Sequence, residues 1–346
     1  MVLLKIAFTV VCIVLTVFVG GLALSIGDRS IGFSHVFDIV WNHINGAIYE
    51  FDSYEWWDDY IVFDIRMPRV VMGMVTGASL ALGGVVMQSM LMNPLADPYT
   101  TGISSGACFG AVTAIVVGAT YSTVVGNYGI VTNAFIGALV PAFIIILISS
   151  RVKVSPVTMI LAGTAISYMF NALTTILMVA ADEHQLAKAY AWQIGTLENA
   201  VWSQVPVMLV VTLVGTAVMV FLANKLDLLM LGDDSAKSLG LDVERFRVLC
   251  LLVLSFITAS VIAYTGVIGF VGLIVPHIAR IFVGSKNRYL IPASMTLGAL
   301  TVVSADLLAR RISMGSIPVG VVMSFIGGFV FLILVIRNGS RYGDVP

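Results

Sequence analysis

The chain has 346 residues, of which 59% are hydrophobic and 11% charged, with a formal net charge of −1 and a mean hydropathy of +1.02. A water-soluble domain of this length carries about 25% charged residues, so lipid must be the main solvent. The near-neutral charge argues against a nucleic-acid partner, which would need a basic face.

A membrane span needs about 20 mostly apolar residues. Such runs fall near 4–25, 69–91, 99–119, 127–148, 155–180, 203–223, 247–265, 267–284, 290–309 and 316–336. They predict an all-α membrane protein with ten transmembrane helices, forming one transmembrane domain over 1–346. Ten spans put both termini on one side. If that side is the cytoplasm, twelve Lys and Arg lie inside, among them Lys153, Arg337 and Arg341, against six outside: Arg29, Arg66, Arg69, Lys188, Arg310 and Arg311. The positive-inside rule therefore predicts cytoplasmic termini, with 26–65 as an external loop and 224–246 as a cytoplasmic one. The first apolar run exceeds the ~7–15 residues of a signal-peptide core, which favours an uncleaved helix.

In the external loop, Phe33 to Ile44 has apolar residues at helical spacing and suits a helix lying on the interface. Tyr49 to Asp64 is acidic and aromatic, and reads as an aromatic belt beside a solvated acidic loop rather than a cation site. Next come Arg66-Met-Pro-Arg69 at the mouth of a span, a Gly-rich apolar run, and a reversal at Asn93-Pro-Leu-Ala-Asp-Pro98. Asn93, Pro94, Asp97 and Pro98 can turn the backbone at the far interface without stranding polar groups. The 32 glycines, many inside spans, read first as close helix packing.

The loop Leu231 to Arg247 predicts a short helix capped by Asp233 or Asp234 and ended by Gly240 in the left-handed conformation. Ala236 and Leu239, three apart, would share a face, and a second helix would run from Asp242 into the next span. On the loop alone, a grip for a soluble partner and an ordered connector both stay open. Further on, Pro276 should loosen its helix, and His277 could hydrogen-bond a freed carbonyl. Asp306 is an intramembrane carboxylate with Arg310 one turn away, which reads as a structural ion pair. Cys12, Cys108 and Cys250 form neither a disulfide framework nor a metal knuckle, and the four histidines form no ligand pair, so no metal or cofactor site is expected. No Lys follows a Gly directly, so there is no phosphate-binding loop and no catalytic machinery of its own.

Together these segments resemble the FecCD-type permeases, the membrane subunits of iron-siderophore, haem and cobalamin ABC importers (type II importers). The resemblance runs from about Gly27 to Arg337. It rests on Arg66–Arg69, Gly77–Gln88, Asn93–Pro98, Gly102–Ala107, Leu161-Ala-Gly163, Trp192-x-x-Gly195, Leu231-Gly to Leu239-Gly240, Gly269 to Arg280, Asp306 to Arg310, and Pro318-Val-Gly320 with Gly327. The run ending Pro-His-Ile-Ala-Arg280 is the most specific of these.

The resemblance implies a ten-helix subunit paired around a central path, by default as a homodimer. Two ATPase subunits would dock below and an extracytoplasmic substrate-binding protein above, at the inner (cytoplasmic) membrane. Gly232, Asp233, Asp234, Ser235, Ala236, Lys237, Ser238, Leu239 and Gly240 would be the ATPase-coupling element. Arg66, Arg69 and Arg310 would meet acidic residues of the binding protein, and Ser155 and Pro156 would stand at the inner gate. The long acidic Trp-rich stretch 50–59 and the doubled Arg310-Arg311 depart from the family pattern; the first leaves open the fit of the outer surface, the second which arginine pairs. The cargo would be a ferric siderophore or, alternatively, cobalamin, haem or an oxyanion. A reading of another class is a secondary transporter running on protons through Asp306 and His277.

Overall fold

The computed structural model describes residues 2–27, 29–118, 127–149, 151, 155–312 and 317–342. Lys153 and the side chains of Arg337 and Arg341, counted on the inner side, lie outside the described residues, as do the edges of the runs 99–119 and 316–336.

Every regular element among the described residues is helical. In chain order these are α1 (Val2–Ser25), α2 (Phe33–Ile44), α3 (Tyr54–Tyr60), α4 (Met67–Met90), α5 (Ile103–Val116), α6 (Asn127–Ser149), α7 (Pro156–Val179), α8 (Glu183–Ile194), α9 (Val205–Phe221), α10 (Ala223–Leu229), α11 (Asp233–Ser238), α12 (Val243–Thr265), α13 (Val271–Val283), α14 (Asn287–Ile312) and α15 (Val319–Tyr342). The central post is α4. Its second half, Ser79 to Met90, is wholly buried among α9, α12, α13 and α14. By contrast α1 exposes most of its apolar surface, as a helix at the lipid boundary should.

Small residues explain the tightness. A Cβ on Gly77 would overlap the backbone of Gly298, and one on Gly84 would overlap the carbonyl of Gly272, so α4 touches α14 and α13 backbone to backbone.

Among the described residues six helices are long and apolar enough to cross a membrane, or seven if the pair α9–α10, bent by 61°, is counted as one span. Three apolar helices are shorter: α5, α13 and the stretch Val319–Ile333 of α15. At 1.5 Å per residue α5 and α13 rise only ~20 Å, against a hydrocarbon layer of ~30 Å. Both begin inside the bundle. Before α5, a 3-10 turn at Pro98–Thr101 packs Pro98 on Gly83, roughly 10 Å in from the end of α4. Before α13, residues 266–270 are non-helical.

The reversal at 91–98 is built as its residues suggest. Asn93 Oδ1 accepts from Leu95 N at 2.9 Å, and Asp97 Oδ1 from Tyr99 N at 2.7 Å. It dips into the bundle instead of stopping at its edge.

The acidic stretch departs from its expected loop. Ser53 caps α3 by accepting from Trp56 N at 3.1 Å. A π-helical turn at Ile61–Arg66 then carries the helix into α4, giving 37 continuous residues from Tyr54. Pro68, lacking an N–H, cannot continue an ordinary α-helical ladder there, and the wider turn relieves it. The helix expected at Phe33–Ile44 forms with those bounds and exposes Phe37, Trp41 and Ile44.

Candidate coupling, docking and pathway sites

The Met90 end of α4 carries the 231–240 element. Gly232, at φ +96°, opens α11 and Gly240, at φ +86°, closes it; both backbones lie where a side chain would be strained. The expected aspartate cap does not form. Asp233 is the first helical residue, and its carboxylate turns inward to Arg247, whose Nη1 and Nη2 donate at 2.8 and 2.6 Å. Nor do Ala236 and Leu239 share a face. Ala236 is buried in the same core cluster as Leu226, Leu229 and Phe246, whereas Leu239 leaves the helix and is 61% exposed. The outward side chains are Asp234, Ser235, Lys237, Ser238 and Leu239. The helix expected to run from Asp242 forms as α12, and Asp242 caps it by accepting from Arg245 N at 3.2 Å.

Ser155 and Pro156 open α7. Ser155 Oγ accepts from Thr158 N at 3.1 Å, and Pro156 occupies a first-turn position where no N–H is needed. From there α7 buries Met159, Gly163, Ile166, Phe170 and Thr174, and leaves its other side open. On that open side Thr164, Tyr168, Asn171 and Thr175 form a row at helical spacing, with Tyr168 73% exposed.

The opposite end gathers the arginines. Arg66 is buried and donates to the carbonyls of Leu24 and Arg29. Arg69 grips Asp306 through Nε and Nη2, at 3.0 and 2.8 Å to Oδ1. Arg310 pairs with the same carboxylate and donates from Nη1 to Ala23 O at 3.2 Å. Thus Arg66 and Arg310 satisfy carbonyls in the last turn of α1, where cations are favoured. The Asp306–Arg310 pair is as expected; the part played by Arg69 was missed, because nothing local marks residues 237 positions apart. Arg311 is exposed.

At this end Trp202 Nε1 donates to Phe63 O at 2.8 Å, and a cavity of about 560 Å³ opens between α6, α8 and the end of α12, lined by Lys188, Trp192, Glu198 and Tyr264 among others.

The carbonyl of Gly272, freed by Pro276, is taken by another helix and not by His277. Gln88 Nε2 donates to Gly272 O at 3.3 Å and to Leu273 O at 3.1 Å, while Arg280 Nη2 donates to Gln88 Oε1 at 2.8 Å.

The FecCD transport family profile matches residues 13–337. The cobalamin import system permease BtuC of Halobacterium salinarum is 41% identical over 276 residues, 80% of this chain and 73% of its own length. The hemin transport system permease HmuU of Yersinia pestis is 34% identical over 323 residues, 92% of this chain and 93% of its own. A solved inward-facing transporter, assigned to the metal-chelate ABC type, matches with a TM-score of 0.83 at 28% identity, over 95% of this chain and 98% of that one. A match that runs through both ends of the bundle makes this chain a member of the FecCD transport family, a membrane permease component of ABC importers.

Proposed function

We propose that this chain is the subunit through which an ABC importer moves a large metal chelate, a ferric siderophore foremost, across the cytoplasmic membrane. Cobalamin, haem or an oxyanion is the alternative cargo. The observation that carries the reading is the row Thr164, Tyr168, Asn171 and Thr175 on the open side of α7. Polar side chains at membrane depth face a bundle interior or a water-filled cavity. Within one chain this row faces neither, so a second copy of the chain would enclose it and form the path. Ser155 and Pro156, at the start of α7, would then narrow the inner end.

The whole chain acts as one transmembrane unit of ten spans with both termini inside, α5 and α13 crossing together with their non-helical approaches. The outward face of α11 docks on one of two ATPase subunits. Arg66, Arg69 and Arg310 share the opposite end, where an extracytoplasmic binding protein would dock; their guanidinium groups are engaged by Asp306 and by the carbonyls of Ala23, Leu24 and Arg29, so they would shape that surface while exposed Arg311 beside them reaches the partner. Cargo class is supported by the relatives, whose named ligands, cobalamin and hemin, each hold a metal in a large organic framework. A proton path through Asp306 gains no support, because both its oxygens are engaged by guanidinium groups.

Mass spectrometry of the ligand on the partner binding protein, followed by its ATP-driven uptake into vesicles holding the full complex, tests the proposal. Uptake that ignores ATP and follows the proton gradient would refute it.

A further inference from the structure

Among the described residues Arg247 is the largest side chain to be fully buried, at 0% exposure. It sits in the second turn of α12, yet two other elements end on it. Its Nη1 and Nη2 reach both carboxylate oxygens of Asp233, the first residue of α11. Its Nε donates at 3.3 Å to the carbonyl of Met90, the last residue of α4, where the helix end leaves carbonyls without an intrahelical partner.

An ion pair whose cation is fully buried is a poor way simply to hold α11 in place, even with the Asp233 side chain 24% exposed. The desolvation of Arg247 offsets much of the attraction, and apolar side chains of similar volume would anchor as firmly. What the fork of a guanidinium adds is direction: two parallel hydrogen bonds fix angle as well as distance. Fixed angles matter where a displacement has to be passed on without slack.

We propose that Arg247 is a positioning residue for transport, a linkage that makes α11 move as one body with α4 and α12 when a partner ATPase shifts α11. The inference rests on the reading of α11 as the ATPase contact and adds the route by which its motion enters the bundle. Asp234, Ser235, Lys237, Ser238 and Leu239 face outward, so the grip on the partner and the linkage inward use different side chains. The route leads to the centre of the fold, because α4 packs on α9, α12, α13 and α14.

The test uses the complete complex with its ATPase subunits in lipid vesicles and needs no knowledge of the cargo. Nitroxide labels at the exposed positions 175 on α7 and 312 on α14 report the distance between helix ends, with and without ATP and vanadate. Asp233→Asn and Arg247→Gln should keep the ATPase bound and hydrolysing, while the fraction of molecules that switch on ATP falls at least tenfold. Arg247→Lys, which retains charge but loses the fork, should fall with them.

Switching at the wild-type level in Asp233→Asn or Arg247→Gln overturns the proposal. So does loss of the assembled complex in Asp233→Asn, because the pair would then serve only stability. The underlying reading fails separately. Leu239→Asp, on the outward face, should release the ATPase, and an ATPase that stays bound and coupled there removes α11 from the contact whatever Arg247 does.

Discussion

Asp306→Leu separates two accounts of the same carboxylate. Asp306 is buried, accepts from Arg69 at 3.0 and 2.8 Å and from Arg310 Nε at 2.9 Å, and so joins α14 to α4. Hydrogen bonds to charged groups contribute about 1.5–3 kcal/mol each, but desolvation of three ionic groups offsets much of that sum. Removing the anion alone is a different matter. Two guanidinium groups stay behind in a buried site, at a cost of about 3–5 kcal/mol. Set against a typical stability of about 5–15 kcal/mol, that is a large fraction. Thermal unfolding of the detergent-purified protein should therefore show a clearly lowered midpoint, with less protein in the membrane. The double variant Arg69→Met with Asp306→Leu should recover part of the loss, with a coupling of about 0.5–3 kcal/mol, because one stranded cation is gone. A wild-type midpoint for Asp306→Leu, or strictly additive effects, would refute the structural account. Normal stability with uptake abolished would instead mark Asp306 as a proton carrier.

Ala236→Trp should lower the stability of the permease by about 1–3 kcal/mol or more through overpacking, seen as reduced yield, and not act by blocking the ATPase surface. Arg66→Glu places a carboxylate against the carbonyls of Leu24 and Arg29 and should cost abundance first, whereas exposed Arg311→Glu should cut uptake with abundance and ATPase association intact; unchanged uptake in Arg311→Glu would remove that arginine from docking. Tyr168→Cys together with Thr175→Cys should react with a water-soluble thiol reagent in the assembled complex, and protection as complete as at lipid-facing Val14 would contradict an aqueous path. Gln88→Leu leaves the carbonyls of Gly272 and Leu273 short of a donor, and should destabilise by about 1–3 kcal/mol in a melting assay.

The fold class was legible because hydropathy and length alone separate lipid-solvated helices from everything else, and every predicted apolar run contains a helix. The lengths of α5 and α13 were not legible. Tyr99 to Thr101 and Gly266 to Phe270 are as apolar or small as the helices they precede, and composition does not encode whether such residues coil. The helix at Tyr54 was obscured by its acids and tryptophans, although Ser53 followed by Glu55 carried the signal of a helix start. At α11 the Asp233 cap was a sound local expectation. It failed because Arg247, fourteen positions on, competes for the same carboxylate and wins with two charge-assisted bonds. The arginines at the other end stood out in the sequence as candidates for docking, but their geometry was hidden: Arg69 meets Asp306 only once α4 and α14 lie side by side.

Two motifs that read as separate in the sequence are one device in the fold. On α4, Gly84 and Gln88 are four residues apart; on α13, Gly272, Pro276 and Arg280 repeat that interval, so each set lines one helix face. Gly84 lets α13 approach until backbone meets backbone at Gly272. That approach brings Gln88 to the carbonyl that Pro276 has released, and Arg280 to Gln88. Each residue thereby answers a problem set by another. A proline at this point in an isolated helix would leave a carbonyl unpaired in hydrocarbon, a cost of several kcal/mol. A glutamine there without the proline would have two amide protons and too few acceptors. The side chains make sense only as a set.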